Sequence, residues 1–582
     1  MFQNKLVCAC WLTICFFCSG PPLVTAFQGA VGGESKTHLE PYSPTGGLIL
    51  VGGGEVSAEM RQRFFDLAGG PRAKIVVIPT ASASADENEF DYWLEPWQKL
   101  VPLSVKIAHT RERAVADTAE FCADLEDATG IWISGGDQAN LAEAYLSTRA
   151  ARAIESLPQR GGVVGGTSAG AAIASRIMIA EGNDTPKLAT GFDLLPGAIV
   201  DQHFSQRQRS GRLIKAVAKH PDCLGIGIDE DTAVVFQGRS MEVLGPGKVH
   251  LRFAATAHYP IEKMELKAGQ RNDWETLLRA CRERFVAPFP VPNLAPQIVF
   301  PKSGSLVIVG GGGLPKDILQ RFVELAGGSK ARIVVLPTAV ENVAGDSGEG
   351  EMFRQAGAGF VVVLPQTTPA ELASEEYLDQ IRSATGIWFG GGRQWRFVDH
   401  YAETPALAEF RQCLQRGGVI GGSSAGATIQ GELLIRGAPI GNEIMVQDGY
   451  RRGFGFLSGV GIDQHFTQRN RFADLRGTIQ RFPSMIGLGI DEATALVVTS
   501  KQAEVMGSGK LHVFVAKNVI DSIVPADDRL DSAKSNSAAT LGKDEAPRNN
   551  GSDSNSAALP HDIFTHEYRA GSILTPADFV VR

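Results

Sequence analysis

The sequence predicts an α/β protein built twice, as two consecutive domains that each fold a parallel β-sheet under helices on both faces. Three observations lead there. Short Val/Ile-rich runs alternate with amphipathic stretches of helical period. The phrase Gly-Gly-Thr-Ser-Ala-Gly-Ala at 165–171 returns as Gly-Gly-Ser-Ser-Ala-Gly-Ala at 421–427. Five further segments repeat in the same order with a spacing that drifts by only a few residues, which is domain duplication and not a solenoid of short units.

Taken along the chain, the first strand is Leu48–Val51, inside a segment at 46–54 that matches 304–312. A helix follows near Ser57–Leu67. The strand Ile75–Ile78 lies in 73–81, which matches 331–339, and a helix is predicted near Thr118–Glu126. The strand Ile131–Ile133 lies in 128–138, matched by 384–394, and leads into a helix near Gln138–Leu146. The run Gly162–Val164 leads into the serine phrase and a small-residue helix, Ala171–Ala174; Gly418–Ile420 and Ala427–Ile429 repeat this. The run Gly197–Val200 precedes Asp-Gln-His-Phe-Ser-Gln-Arg-Gln-Arg at 201–209, matched by 463–471, and 225–233 matches 487–495. Strands that are apolar throughout belong to a sheet buried on both faces. Such sheets bind ligands beyond their carboxyl ends, so the loops Gly52–Gly54, Pro79–Thr80, Gly135–Gln138 and Gly166–Ser168 converge on one crevice.

The 582 residues suffice for two or three domains with their own cores. Residues 1–26 read as a secretory signal: one lysine, an apolar run Leu6–Cys18, and Val-Thr-Ala before Phe27. The alternative, an uncleaved anchor, meets a run shorter than the ~18–20 residues a bilayer needs. Residues 27–45 are a polar lead, 46–285 the first domain and 286–302 a stiff Pro-rich linker. The second domain occupies 303–582, with a disordered insertion expected at about 527–556 and returning strands at Ile563–Glu567 and Asp578–Val581. Secretion, to a periplasm or beyond, follows from the signal, with no membrane span left after cleavage.

A net charge of −8 and a pI near 5.9 offer no basic footprint for nucleic acid. Cys122, Cys223, Cys281 and Cys413 remain after the signal, too sparse for a disulfide scaffold. No Cys-x-x-Cys or His-Glu-x-x-His occurs, so neither a metal nor another cofactor is expected.

The repeated phrase has the strand–turn–helix setting of a nucleophile elbow, which exposes Ser168 and Ser424 at a helix N-terminus. A serine needs a base, and the base an orienting group. His203 and His465 are the candidate bases; His220, His250 and His258 are read as having no counterpart in the second half. Orienting candidates are Glu230 and Glu492, with Asp229 and Asp491 beside them; Glu181 and Asp184 are a lesser alternative. Gln138 and Gln394 either start a helix or offer amides to a ligand. Arg207, Arg209 and Arg212 follow the histidine and suit carboxylate binding. The second half keeps Arg469 and Arg471 but has Asp474 in the place of Arg212. That loss, with the extra residues Glu443–Phe456, is expected to mark a divergent second site.

Residues 46–253 resemble the cyanophycinases of the S51 serine-peptidase family. The resemblance rests on Gly-Gly-Asp-Gln, Gly-Thr-Ser-Ala-Gly-Ala, the long segment from Leu195 to Leu213 and Gly-Ile-Gly-Ile-Asp-Glu-Asp-Thr-Ala. Residues 304–515 resemble the same family more loosely. The resemblance implies a flavodoxin-like sheet of the class I glutamine amidotransferase type in each half. It implies Ser168, His203 and Glu230 as nucleophile, base and orienter, with Ser424, His465 and Glu492 as their counterparts. It places Gln138, Asp201, Gln202, Arg207, Arg209 and Arg212 around the substrate, and likewise Gln394, Asp463, Gln464, Arg469 and Arg471. Oxyanion donors are expected at Ala169 and Gly136, and at Ala425 and Gly392. The implied substrate is cyanophycin, an aspartate-backbone polymer bearing arginine, or a related β-aspartyl peptide cut through an acyl-enzyme. Relatives pair as dimers, so the two halves are expected to form an intrachain pseudo-dimer. Other readings are an exo-acting hydrolase or aspartyl dipeptidase on the same scaffold, and a non-catalytic module that binds acidic peptides.

Overall fold

The computed structural model describes residues 45–87, 89–291, 294–341, 348–517 and 562–579. The signal, most of the polar lead and the insertion at 527–556 lie outside these residues. In the first half, strands Gly47–Val51, Lys74–Ile78, Ser104–Ile107, Gly130–Ile133 and Val163–Thr167 form the parallel core of an eight-stranded sheet. The helices lie within a residue or two of their predicted bounds. Ser57 caps Ala58–Leu67, Thr118 caps Ala119–Asp127, and Gln138–Tyr145 starts behind Asp137. These side-chain oxygens take up helix N–H groups that have no intrahelical acceptor.

The sheet is mixed rather than wholly parallel. Ala233–Gln237 pairs antiparallel with Gly47–Val51, and Ser240–Leu244 and Arg271–Asp273 continue that edge. The tight turn Gly238–Arg239 makes a hairpin there, which needs no crossover helix. A separate four-stranded sheet, built on Ala198–Asp201 paired parallel with Leu224–Ile228, carries the histidine segment. The second half repeats the plan with an eight-stranded and a five-stranded sheet. Ile563–Arg569 does return as a strand, against Lys510–Ala516. Asp578 and Phe579 belong instead to a 3-10 turn, Pro576–Phe579, in which the Asp578 carboxylate accepts from Thr575.

The extra residues of the second half have a structural use. Tyr450 projects from that segment to donate to Asp399 Oδ1 at 2.7 Å and to accept from Arg239 of the first half at 2.9 Å. Asp399 also accepts from Arg239 at 2.6 Å and Arg279 at 3.0 Å, while Gly449 donates to Glu283 at 2.7 Å. The linker runs along the second half: Phe289 is buried under Arg452 at 4.0 Å, and Val299 bridges to Ser458. The two halves are thus joined by a buried ionic cluster centred on one carboxylate. Removing a partner from such a cluster leaves the others charged and unpaired, at a cost of about 3–5 kcal/mol. Asp399→Ala is expected to lose that much in urea unfolding of the intact chain; an unchanged midpoint would show that the cluster does not join the halves.

Candidate active site

The site is built at the carboxyl ends of the parallel strands. Strand Val163–Thr167 lies between its two parallel neighbours and stops at Ser168, where φ turns to 52°. Helix Ala169–Ala172 begins at once, and a Cβ on Gly166 would lie 2.4 Å from the Gly170 carbonyl. Only a residue without Cβ lets strand and helix pass this closely. The strained serine is held because its N–H donates to Val51 O at 3.0 Å; Ser424, φ 54°, does the same to Val309 O at 3.0 Å.

The histidine arrives from the smaller sheet. His203 also has a left-handed backbone, φ 49°, fixed by its N–H donating to Gly52 O at 2.6 Å. Its ring lies against Gly53, where an added Cβ would sit 2.1 Å from Cε1. Glu230 follows the strand Leu224–Ile228, and its N–H is held by Gln206 Oε1 at 3.1 Å. The result is a continuous chain. Ser168 Oγ lies 2.8 Å from His203 Nε2, and His203 Nδ1 lies 2.6 Å from Glu230 Oε1. In the second half Ser424, His465 and Glu492 are spaced 3.0 Å and 2.6 Å. A carboxylate only accepts, so Nδ1 carries the proton and Nε2 is left to accept from the serine hydroxyl.

Several expected site residues hold the site from beneath. Asp201 is buried and accepts from Arg212 Nε at 2.8 Å, while Arg209 donates to Gln202 O at 2.7 Å and also to its side-chain oxygen. Gln138 is buried with its amide donating to Ile179 O and Ala180 O; Gln394 does so to Ile435 O and Arg436 O. Asp463, Gln464 and Arg471 repeat the buried network. Of the arginines expected to bind substrate, Arg207 and Arg469 alone remain exposed, beside the imidazoles. Gly135 and Gly136 follow the strand beside the serine: a Cβ on Gly135 would lie 3.4 Å from Ser168 Cβ, and one on Gly136 would meet Ala81 O at 2.1 Å. Gly391 and Gly392 are placed the same way. Ala169 and Ala425 open their helices, so their N–H groups have no intrahelical acceptor.

The acidic alternatives go elsewhere. Asp229 accepts from Ser205 N at 3.0 Å and Lys248 N at 3.1 Å, so it fixes the histidine loop, and Glu181 and Asp184 pair with Lys187 and Lys215. His250 does have a counterpart: it faces Asp229 at 3.3 Å as His512 faces Asp491 at 3.3 Å. The second half's missing arginine is also replaced. Arg436, from the loop after strand Gly431–Leu433, donates to Asp463 at 3.1 Å and to Asp474 at 2.7 Å. Asp463 thus keeps two guanidiniums, with Asp474 taking part in the arrangement that replaces Arg212. In sequence Arg436 is invisible, because it comes from a segment with no counterpart at Arg212.

A sheet that delivers a strained serine to a histidine and a glutamate, twice in one chain, defines a serine-type hydrolase scaffold. The sequence model of peptidase family S51 matches residues 48–244 and again 306–506, and the chain belongs to that family, a serine-type peptidase in tandem duplication. It is 38% identical over 228 residues to a cyanophycinase of Trichormus variabilis, covering 37% of this chain and 76% of the relative. It is 39% identical over 227 residues to one of Synechococcus elongatus, covering 37% and 70%. A solved peptidase from an acI-B1 actinobacterium aligns with 40% of this chain and 98% of its own, at 26% identity and a TM-score of 0.33.

Burial pushes the His203 imidazole below its ordinary value of 6.5; the hydrogen bond to Glu230 opposes this and Arg207 adds to it. His465 is shifted the same way by the same causes. A base must be neutral, so activity is lost only as pH falls through the lowered value. The acid limb of kcat/KM is expected below pH 6.5, and lower still in Glu230→Gln with Ser424→Ala, where the raising partner is gone; a limb above 7 contradicts this assignment.

Proposed function

We propose that the chain hydrolyses β-aspartyl peptides of the cyanophycin class through acyl-enzymes on Ser168 and Ser424. The observation that carries this reading is the unbroken Ser–His–Glu hydrogen-bonded chain in both halves. His203 Nε2 takes the hydroxyl proton as Ser168 Oγ attacks the aspartyl carbonyl. Glu230 holds the resulting imidazolium, and the carbonyl oxygen, now anionic, is received by the Ala169 N–H and a backbone N–H of Gly135–Gly136. The imidazolium then returns its proton to the leaving amine, and a water activated by the same histidine releases the acyl group. Each oxyanion donor contributes about 2.7–4 kcal/mol to such a step.

The substrate class is supported by relatives that bear the name cyanophycinase and by Arg207, an exposed cation next to the imidazole that suits a carboxylate-rich polymer. The non-catalytic alternative is disfavoured because a binding pocket needs no strained serine, and strain of ~1–3 kcal/mol per residue persists where chemistry uses it. On the pattern of residues 1–26 we place the enzyme outside the cytoplasm, its two halves together standing in for a dimer.

Release of β-Asp-Arg from cyanophycin tests the reading. The unmutated chain is expected to release it, Ser168→Ala and Ser424→Ala each to abolish one of two additive activities, and the double variant to show none. No release by the unmutated chain would refute the substrate class.

A further inference from the structure

The cavity beside Ser168 carries two charges that the hydrolytic step does not use. It encloses about 620 Å³, with Ser168 and His203 on its wall, Trp93, Trp97 and Trp132 along another part, and Glu55 and Arg61 near the loop Gly52–Gly54. Arg61 donates to the Val56 carbonyl, and among the described residues no carboxylate pairs with it. Glu55 engages only its backbone N–H, which donates to Asp231 Oδ1 at 2.5 Å; its carboxylate has no cationic partner among the described residues. The two side chains do not pair with each other. A cavity that keeps an acid and a base apart is prepared for a ligand with both signs.

The fold does not require these residues. The segment Gly52–Arg63 aligns without gaps on Gly310–Arg321, which puts Gly313 at the position of Glu55 and Leu319 at that of Arg61. The wall differs too. Trp97 packs on Phe64 at 4.9 Å and Trp132 at 4.8 Å, while Phe353 packs on Phe322 at 5.4 Å and Trp388 at 5.3 Å. That equivalence places Glu349 where the first half has Trp93. The second half thus completes the same sheet and the same Ser–His–Glu chain with none of the three residues.

We infer that the first-half cavity is a subsite for a zwitterionic peptide end, absent from the second half. Glu55 and the face of Trp93 take the cationic side chain, and Arg61 takes a free carboxylate. A guanidinium stacks on an aromatic face while donating to a carboxylate, and Arg61 meets a carboxylate through two parallel N–H groups. A purely anionic ligand would leave Glu55 facing like charge, and a purely cationic one would do so to Arg61. The inference rests on the proposed hydrolysis and deepens it. The first site selects the charged chain end with these residues, and the second, with Glu349 in the place of Trp93 and no counterpart of Arg61, does not hold the free carboxylate in this way.

The test uses the full chain with Ser168→Ala and Ser424→Ala, so that ligands bind without turnover. Calorimetry follows β-Asp-Arg, its analogue with both carboxylates amidated, and the neutral citrulline analogue. Arg61→Leu and Glu55→Gly introduce the residues of the second half. Arg61→Leu is expected to weaken β-Asp-Arg at least about ten-fold and leave the amidated analogue unchanged. Glu55→Gly is expected to weaken β-Asp-Arg by a similar factor and leave the citrulline analogue unchanged. Equal losses for all ligands, a parent that binds the three alike, or no binding to the parent would overturn the subsite. Wild-type release of β-Asp-Arg is measured in parallel: turnover together with charge-blind binding overturns the subsite alone, while charge-selective binding without turnover overturns the hydrolysis and retains the subsite.

Discussion

Everything at the site depends on a backbone held in the left-handed region at two places. Ser168 leaves its strand with φ at 52° and His203 leaves the smaller sheet with φ at 49°. Neither residue is a glycine, so each conformation is costly, and each is held by one backbone bond to the same first strand and its loop: Ser168 N–H to Val51 O, His203 N–H to Gly52 O. That strand therefore sets the separation of hydroxyl and imidazole. Gly53 must lack a side chain because the histidine ring occupies that space. The second half reproduces this at Val309, Gly310 and Gly311.

Below the site lies a layer of buried polar groups that serve geometry. The Asp201 carboxylate with Arg209 and Arg212 holds the segment from which His203 emerges, and Asp229 ties that loop to the strand Lys248–Phe253. The second half keeps the Asp463 end of this network and supplies the second guanidinium from Arg436. The electrostatic requirement, two guanidiniums on one buried carboxylate, is preserved while the residue that meets it changes. The halves differ where the network does not reach: in the wall of the cavity, and in the segment around Tyr450 that joins one half to the other.

Much of this was legible in the sequence. Duplicated segments located most of the parallel strands, the elbows and the histidine loops, because positions that meet strict steric demands tolerate little change. The parallel edge strands Ser104–Ile107 and Phe360–Val363, only partly buried and outside the duplicated segments, were not predicted. The residue pattern alone left Asp229 beside Glu230 as an orienting candidate and the family resemblance favoured Glu230; the fold turns Glu230 to the ring and Asp229 to the backbone of the histidine loop. The burial of Arg209 and Arg212 was hidden: an arginine cluster reads as surface until the carboxylate it neutralises is located. Arg436 and the part of the cavity wall at Trp93 and Trp97 depend on segments that the repeat does not align. The antiparallel edge was missed because short hairpin strands carry the same apolar pattern as parallel ones.

The central claim is that both elbows present an activated serine. Labelling the intact chain with a fluorophosphonate, then mapping the adducts by peptide mass spectrometry, tests it most directly, because only a serine activated by its histidine reacts readily. The account predicts two adducts per chain, at Ser168 and Ser424. Labelling confined to one serine, or to neither, would contradict it.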